Sequence, residues 1–442
     1  MSGSESSSLP LPARPSIDDR DAWRIYWQQL GQPWRTEPEI NEERQKDLAE
    51  RCEIAPDIEK GIYPFKNIKL SRADVEWLLA THEHGRGPVD WAKEQDRERS
   101  GLDMRGADFR QTDLRGLPLA NLIGGFDYYE HQDATEEHIK EAAVHMEGGV
   151  LYGAQLQGAN LAGAQLEGAN FYEAQLEGAN LREAHLEGTN LVMTQLRRAI
   201  LAQAQLEKAN FRGAQLERAD LREAHLEGAN LKNIKLGDWR RIGPRVADTQ
   251  WCDANLAVVD WSQVTKLGDE WEAEQRKARN RKKKEKQTRL EEYQAAVRAN
   301  RQLAVALRSQ GLDEDAARFA YCAQKCQRIL LHLQRKYIQY LFSQLLDLLA
   351  GFGYRPIRTV FWYLLVVGGF AAAYALFGHL SALPDALVYS LTSFHGRGFF
   401  PGLGKDITLH NPLVILAAAE AVIGLFIEIS FIATFTQRYF GK

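Results

Sequence analysis

Cysteine is scarce, at four in 442 residues. That is too few for a disulfide scaffold and fits a reducing setting for the polar part of the chain. Excess charge of either sign is also missing: 55 Lys and Arg stand against 59 Asp and Glu, a net charge of -4. This excludes the strongly basic surface of a general nucleic-acid binder, so no nucleic-acid partner is expected. Met1 to Ser8 (MSGSESSS) offers neither a basic nor an apolar stretch, and no secretory signal is expected there. Phosphate loops, nucleophile elbows and strongly spaced metal motifs are all lacking. The chain therefore reads as a non-enzyme with no catalytic residues, no metal site and no cofactor. Long uncharged apolar runs are absent until residue 359, and then two arrive.

The organisation changes along the chain. Residues 1–20, rich in Ser and Pro, read as a flexible tail. Residues 21–100 read as a globular region anchored by Trp23, Tyr26, Trp27, Trp34, Tyr63, Trp77 and Trp91. Ser71 is placed to cap a helix over the following apolar-periodic residues. His82 and His84 beside Glu83 are read as exposed loop histidines.

From Leu151 to Leu236 an apolar residue occupies eighteen consecutive fifth positions, including Leu156, Leu161, Leu166, Phe171 and Leu176. Ala or another small residue stands two places before every centre up to Leu231, as Ala154, Ala159 and Ala164 do. Arg241 and Val246 are imperfect, and the register resumes at Trp251, Leu256 and Trp261. Met104, Phe109, Leu114 and Leu119 share the spacing in another phase. Period five is neither helical nor a plain strand alternation. It divides into Ala-x-Leu, whose ends face one way, and a two-residue corner such as Glu167-Gly168. Four such sides close a coil of twenty residues, stacking Asn170, Asn190, Asn210 and Asn230 as an amide ladder.

This pattern resembles the pentapeptide-repeat family over residues 101–261. The resemblance implies a right-handed quadrilateral parallel β-helix, and such a fold carries no chemistry of its own. Some relatives mimic DNA with an acidic surface, but between Leu151 and Leu236 ten acidic residues meet nine Lys and Arg. A docking surface for an unidentified protein partner is the preferred expectation.

Residues 123–148 interrupt the repeats as a helical insertion, with His131, His138 and His145 at seven-residue spacing and Glu141 nearby. The helix is expected to lay Ile139, Ala142, Ala143 and Met146 over the hydrophobic end of the repeats, in preference to forming a metal site. Residues 262–289 read as a charged linker holding Arg279, Arg281, Lys282, Lys283, Lys284 and Lys286. Residues 290–350 read as a cytoplasmic helical hairpin that looks like a tetratricopeptide-type pair, with Cys322 and Cys326 as buried small residues.

Residues 351–442 read as a two-transmembrane unit. Thr359 to Phe377 has no charge in nineteen residues, and Pro412 to Thr436 has two in twenty-five. At about 1.5 Å per residue both are long enough for a hydrocarbon core of ~30 Å. Basic flanks at Arg355, Arg358, Arg438 and Lys442 predict a multi-pass protein of the plasma membrane with both termini cytoplasmic. Between the runs, Pro384 to Phe394 suits a half-membrane helix, and the glycine-rich strip His395 to Pro401 follows it.

Span, half-helix, glycine strip and span together resemble the two-transmembrane potassium-channel-like superfamily. The lead-in from Leu349 to Arg358 is similar to that of bacterial channel-like proteins carrying pentapeptide repeats. The resemblance makes Thr392, Ser393, Phe394, His395, Gly396, Arg397, Gly398 and Phe399 the filter region, and it implies a homotetramer. Phe394 replaces the filter threonine, Arg397 the bracing tyrosine and Phe399 the aspartate at the mouth, so this is not a standard potassium filter. Glu420 and Glu428, with Gly424 between them, lie on a common side of the second span and are expected to line a pore. The reading is an ion channel for a monovalent cation, with the repeat domain as a docking or gating element. The alternative is a non-conducting, membrane-anchored scaffold for protein–protein interaction.

Overall fold

The computed structural model describes residues 12–127, 130, 134–277, 282–354, 356–377, 383–396 and 412–439. Two compact units are present: Met1–Arg276 with Val305–Leu312, and Lys277–Ala304 with Asp313–Lys442.

In the first unit the five-residue pattern becomes four-sided coils. From His145 to Gln215, every fifth residue pairs in parallel with the residue twenty positions on, as Asn170 does with Asn190. Each side is one isolated bridge, so these coils have single pairings in place of the strands that the expected parallel β-helix implies. The reason lies in the corners. The Ala154 N–H returns to the Leu151 carbonyl at 3.0 Å, leaving too few residues per side for a longer ladder. The residue before that alanine takes a left-handed backbone, which suits Gly168 (φ 64°) but is also adopted by Glu173 (φ 57°). The leucine and alanine columns are buried without solvent access at Leu156, Leu161, Ala159 and Ala164. Burying each leucine contributes about 1.5–3 kcal/mol. Where Thr189 and Thr194 replace alanine, their hydroxyls donate to the carbonyls of Leu186 and Phe171, at 2.7 and 2.9 Å.

The four asparagines stack as the spacing predicts, and their amides bond in two pairs. The Asn190 amide donates to Asn170 at 2.9 Å, and the Asn230 amide to Asn210 at 3.1 Å.

Several sequence-based boundaries change. The run from Met104 to Leu119 belongs to the same stack, because Asp108, Asp113 and Pro118 pair with His145, Val150 and Gln155. Its different phase comes from the intervening insertion. Within that insertion α4 spans Glu136–Ala142, capped by the Thr135 hydroxyl. Val144, His145 and Met146 have returned to the coil, with the Met146 N–H on the Gln165 carbonyl at 2.8 Å. Hence His138 and His145 do not share a helix face, while His131 lies outside the described residues. Helix α4 packs through Ala142 and Ile139 on Tyr63 and Phe126. Ile139 also sits so near Gly163 that a Cβ there would come within 2.9 Å of it. The insertion therefore covers a flank of the coils and leaves their end to other residues.

Residues 21–100 supply that end. They hold α1 (Arg20–Gln29), α2 (Glu42–Cys52) and α3 (Arg72–Gly85). The segment before α3 pairs with the first coil: the Leu70 N–H donates to Asp108 at 3.0 Å, and the Asp108 N–H to Ile68 at 2.9 Å. An open edge of unpaired backbone would invite association, and this segment occupies it. Buried Glu76 locks the cap. Its carboxylate accepts from the Thr36 and Glu37 N–H groups, both at 2.9 Å, and from Arg72 at 2.8 Å.

At the other end Asp220 pairs with Arg245 and His225 with Gln250, so one pentad is looped out. Val246 is back in the core, only 2% exposed, and Arg241 alone stands outside the pattern. Pairing continues to Lys266, past the expected boundary at 261. Helix α5 (Gly268–Glu274) then closes the stack, so residues 262–289 do not begin as a linker. Asp269 accepts the Val246 N–H at 2.7 Å, and burial raises its carboxyl from 3.8 to about 6.

The second unit is helical. Helices α6 (Lys286–Ser309, in this unit as far as Ala304), α7 (Asp313–Leu333) and α8 (Tyr337–Ala350) replace the expected two-helix hairpin. Cys326 is buried, Cys322 is half-buried, and neither forms a disulfide. Then come α9 (Pro356–Phe377), α10 (Leu383–Phe394) and α11 (Pro412–Tyr439). Ile357–Leu376 and Leu413–Ile432 are each long and apolar enough to cross a bilayer, and each is only 22% buried.

Candidate functional site

Helix α10 has twelve residues, a length of about 18 Å, which is too short to span a hydrocarbon core. Asp385 lies in its first turn, where the positive helix end favours an acid. Its inner face packs against both long helices. Tyr389 and Ala386 cluster with Tyr374 and Ala371 of α9, and the Tyr374 and Tyr389 rings meet edge-on at 4.6 Å. Phe394, 1% exposed, joins Leu349, Val367 and Ile427.

Glu420 of α11 is completely buried and ties the three helices together. It accepts the Tyr374 hydroxyl at 2.7 Å and meets the Ser390 hydroxyl of α10. Ser390 also lies 2.9 Å from the Val367 carbonyl of α9. A carboxyl group in such apolar surroundings is tolerated only because polar partners surround it. Glu420 thus turns into its own hairpin. Sequence spacing shows Glu420, but it gives no sign of Tyr374 or Ser390, which lie 46 and 30 residues away.

One full turn beyond, Gly424 lies against the end of α10. A Cβ there would overlap the Phe394 carbonyl oxygen and come within 3.1 Å of the Phe394 ring. Gly424 is thus a close-packing position. Glu428 follows, half-buried, with its carboxylate on Nδ1 of exposed His395. The other ring nitrogen of His395 is 3.5 Å from the Tyr363 hydroxyl of α9.

The remaining filter positions are distributed unevenly. Thr392 is half-buried, with its hydroxyl on the Tyr389 carbonyl at 2.9 Å, and Ser393 is buried. Gly396 is exposed in a left-handed turn, at φ 64°. Arg397, Gly398 and Phe399 lie outside the described residues.

Below the hairpin, Asp347 of α8 gathers three partners. Arg328 reaches it at 2.6 Å, the Tyr321 hydroxyl at 3.0 Å and Arg358 at 3.6 Å. It joins α7, α8 and α9, and nothing in the sequence pattern announces it.

Among the described residues, Glu167, His185 and Glu187 in the first unit bring ligand atoms within 4.8 Å of one another. All three are half-exposed, and the column continues as His145 beside Glu147 at 3.3 Å.

An extended repeat array joined to an apolar helical unit defines the class, and comparison with known proteins defines the family. The Pentapeptide repeats model matches residues 150–238 in overlapping segments. A pentapeptide repeat protein from the Arabidopsis thaliana thylakoid lumen is 30% identical, over 22% of this chain and 70% of its own, with a TM-score of 0.18. The pentapeptide repeat protein Rfr23 from the cyanobacterium Cyanothece 51142 is 28% identical, over 33% and 90%, with a TM-score of 0.13. HetL from the cyanobacterium Nostoc sp. strain PCC 7120, involved in heterocyst differentiation regulation, is 22% identical over 35% and 80%, with a TM-score of 0.14. A search of curated proteins returns no match. This chain belongs to the pentapeptide-repeat family.

Proposed function

We propose that the chain is one subunit of a homotetrameric ion channel of the plasma membrane that passes a monovalent cation. The observation that carries this reading is the short helix α10 wedged between two helices long enough to span a bilayer. A helix that cannot span, yet is tied to both spanning helices by Glu420 and Ser390, suits a re-entrant segment. Four hairpins around one axis would bring four Gly396 turns together at the narrowest point, with Glu428 close beside them. Glu420, committed within its own hairpin, is assigned to bracing α10, and Glu428 becomes the acid nearest the conduction path. The repeats are read as a right-handed quadrilateral parallel β-helix on the cytoplasmic side, where both termini lie, with no catalytic role. Their stiff surface is offered to a protein partner or to gating.

One observation favours the second reading, a non-conducting anchored scaffold. Phe394, at the position of the filter threonine, is a core residue packed by Tyr363, Leu349, Val367 and Ile427. The two readings separate in a proteoliposome flux assay with the full chain. Uptake of a monovalent cation that is reduced in Glu428→Gln supports the channel, and no uptake above empty vesicles supports the scaffold.

A further inference from the structure

Helix α8 is oriented against the usual rule for a helix in water. A helix in a water-soluble protein buries its apolar stripe and exposes its polar one. On α8 the polar residues Asp347 and Tyr340 are held against α7, and full burial is confined to Leu349 and Ala350 at the end of the helix. Asp347 takes Arg328 and the Tyr321 hydroxyl of α7, and the Tyr340 ring lies tilted 5.1 Å from that of His332, also of α7. The opposite side carries Tyr337, Ile338, Leu341, Phe342, Leu345 and Leu348, all exposed, with Ile338 at 86% and Leu341 at 62%. At 100° per residue these six fall within an arc of about 140°, centred away from Asp347.

We infer that this face of α8 rests on the membrane surface, buried among acyl chains at the headgroup boundary, and that α8 is an interfacial helix. The inference rests on reading α9 and α11 as membrane spans. Three observations select lipid as the occupant. The first is continuity: α8 ends at left-handed Gly351, and the first candidate span opens at Ile357. The Trp362 indole of that span donates to the Leu348 carbonyl at 2.9 Å, so the two helices meet at a fixed corner. Exposed Val360, Phe361, Leu364 and Leu365 on α9 then carry the apolar surface onward from the corner. The second is charge. Arg335 and Lys336, both exposed, stand at the start of α8, where anionic headgroups would meet them. The third is composition: the apolar arc has no charge to set a register against another protein, and it combines Tyr337 with aliphatic and Phe side chains, as interfacial helices do. Sequence reading placed this segment in a cytoplasmic hairpin, because only the contacts of Asp347 reveal which side is already taken.

The test places an environment-sensitive fluorescent amino acid at Ile338, Leu341, Leu345, Gln339 or Leu364 of the otherwise native full chain. Each variant is reconstituted in vesicles of neutral and anionic phospholipid brominated on the acyl chains. The expected result is quenching at Ile338, Leu341 and Leu345 at least threefold greater than at Gln339, with Leu364 quenched as a span residue. Quenching at Leu364 but not at the three α8 positions overturns the interfacial helix and leaves the spans intact. The same pattern with cross-links between copies at Leu341 shows a second chain on this face and overturns it as well. No quenching at any position overturns both the spans and the inference.

Discussion

Gly424 of α11 lies against the carbonyl oxygen of Phe394, the last residue of the half-helix α10. No side chain fits between them. Gly424→Ala is expected to push α10 outward and destabilise the hairpin by about 1–3 kcal/mol, the range for overpacking a tight core. Gly368→Ala and Gly369→Ala are the controls, since nothing in the chain lies within 4 Å of a Cβ at either site. Thermal unfolding in detergent should show a lower midpoint for the first variant and no loss for the controls. Equal behaviour in all three would contradict the close packing.

Glu76 holds the cap on the first coil. Its carboxylate satisfies the backbone of Thr36 and Glu37 and pairs with Arg72, whose side chain is 12% exposed. Glu76→Ala leaves two N–H groups without their acceptor and takes from Arg72 its Glu76 carboxylate, leaving it Thr36, Asp113 and Arg115, which costs about 3–5 kcal/mol. Glu76→Gln retains an acceptor and is expected to lose less. Proteolysis between residues 36 and 72 should rise in the order native, Gln, Ala.

Asp269 gives the far end of the coils a pH dependence of defined sign. Its carboxyl titrates near 6 when folded, against 3.8 ordinarily, so the folded state holds the proton more tightly. The stabilisation is complete below pH ~4 and is lost as pH rises through about 6. Asp269→Asn should remove that slope while keeping an acceptor for the Val246 N–H. The difference in stability between native and variant chains should change by about 2–3 kcal/mol across this window, measured by denaturation at pH 4 and pH 7. A constant difference would contradict the assignment.

The repeat domain was legible because its spacing is local. A leucine every fifth residue fixes which side chains face inward, and Asn170 and Asn190 meet because their positions differ by one coil. The ends were not legible, because closure there depends on residues outside the period, such as Leu70 on Asp108 and Asp269 on Val246. The looped-out pentad before Arg245 looked like decay of the pattern and is an insertion within it. In the second unit, apolar length located α9, α10 and α11. Periodicity alone gave Glu420 and Glu428 the same role. Their partners separate them: Glu420 meets Tyr374 and Ser390 in the interior, and Glu428 meets exposed His395. Asp347 and the reversed face of α8 were invisible, because neither depends on neighbours in sequence.

Current recorded across a planar bilayer holding the purified full chain, under a gradient of a monovalent cation salt, tests the proposed conduction most directly. The expected result is discrete openings that reverse near the equilibrium potential of the cation, with conductance reduced in Glu428→Gln and unchanged in Gln339→Ala. A silent bilayer, from protein that is folded and inserted, would contradict it.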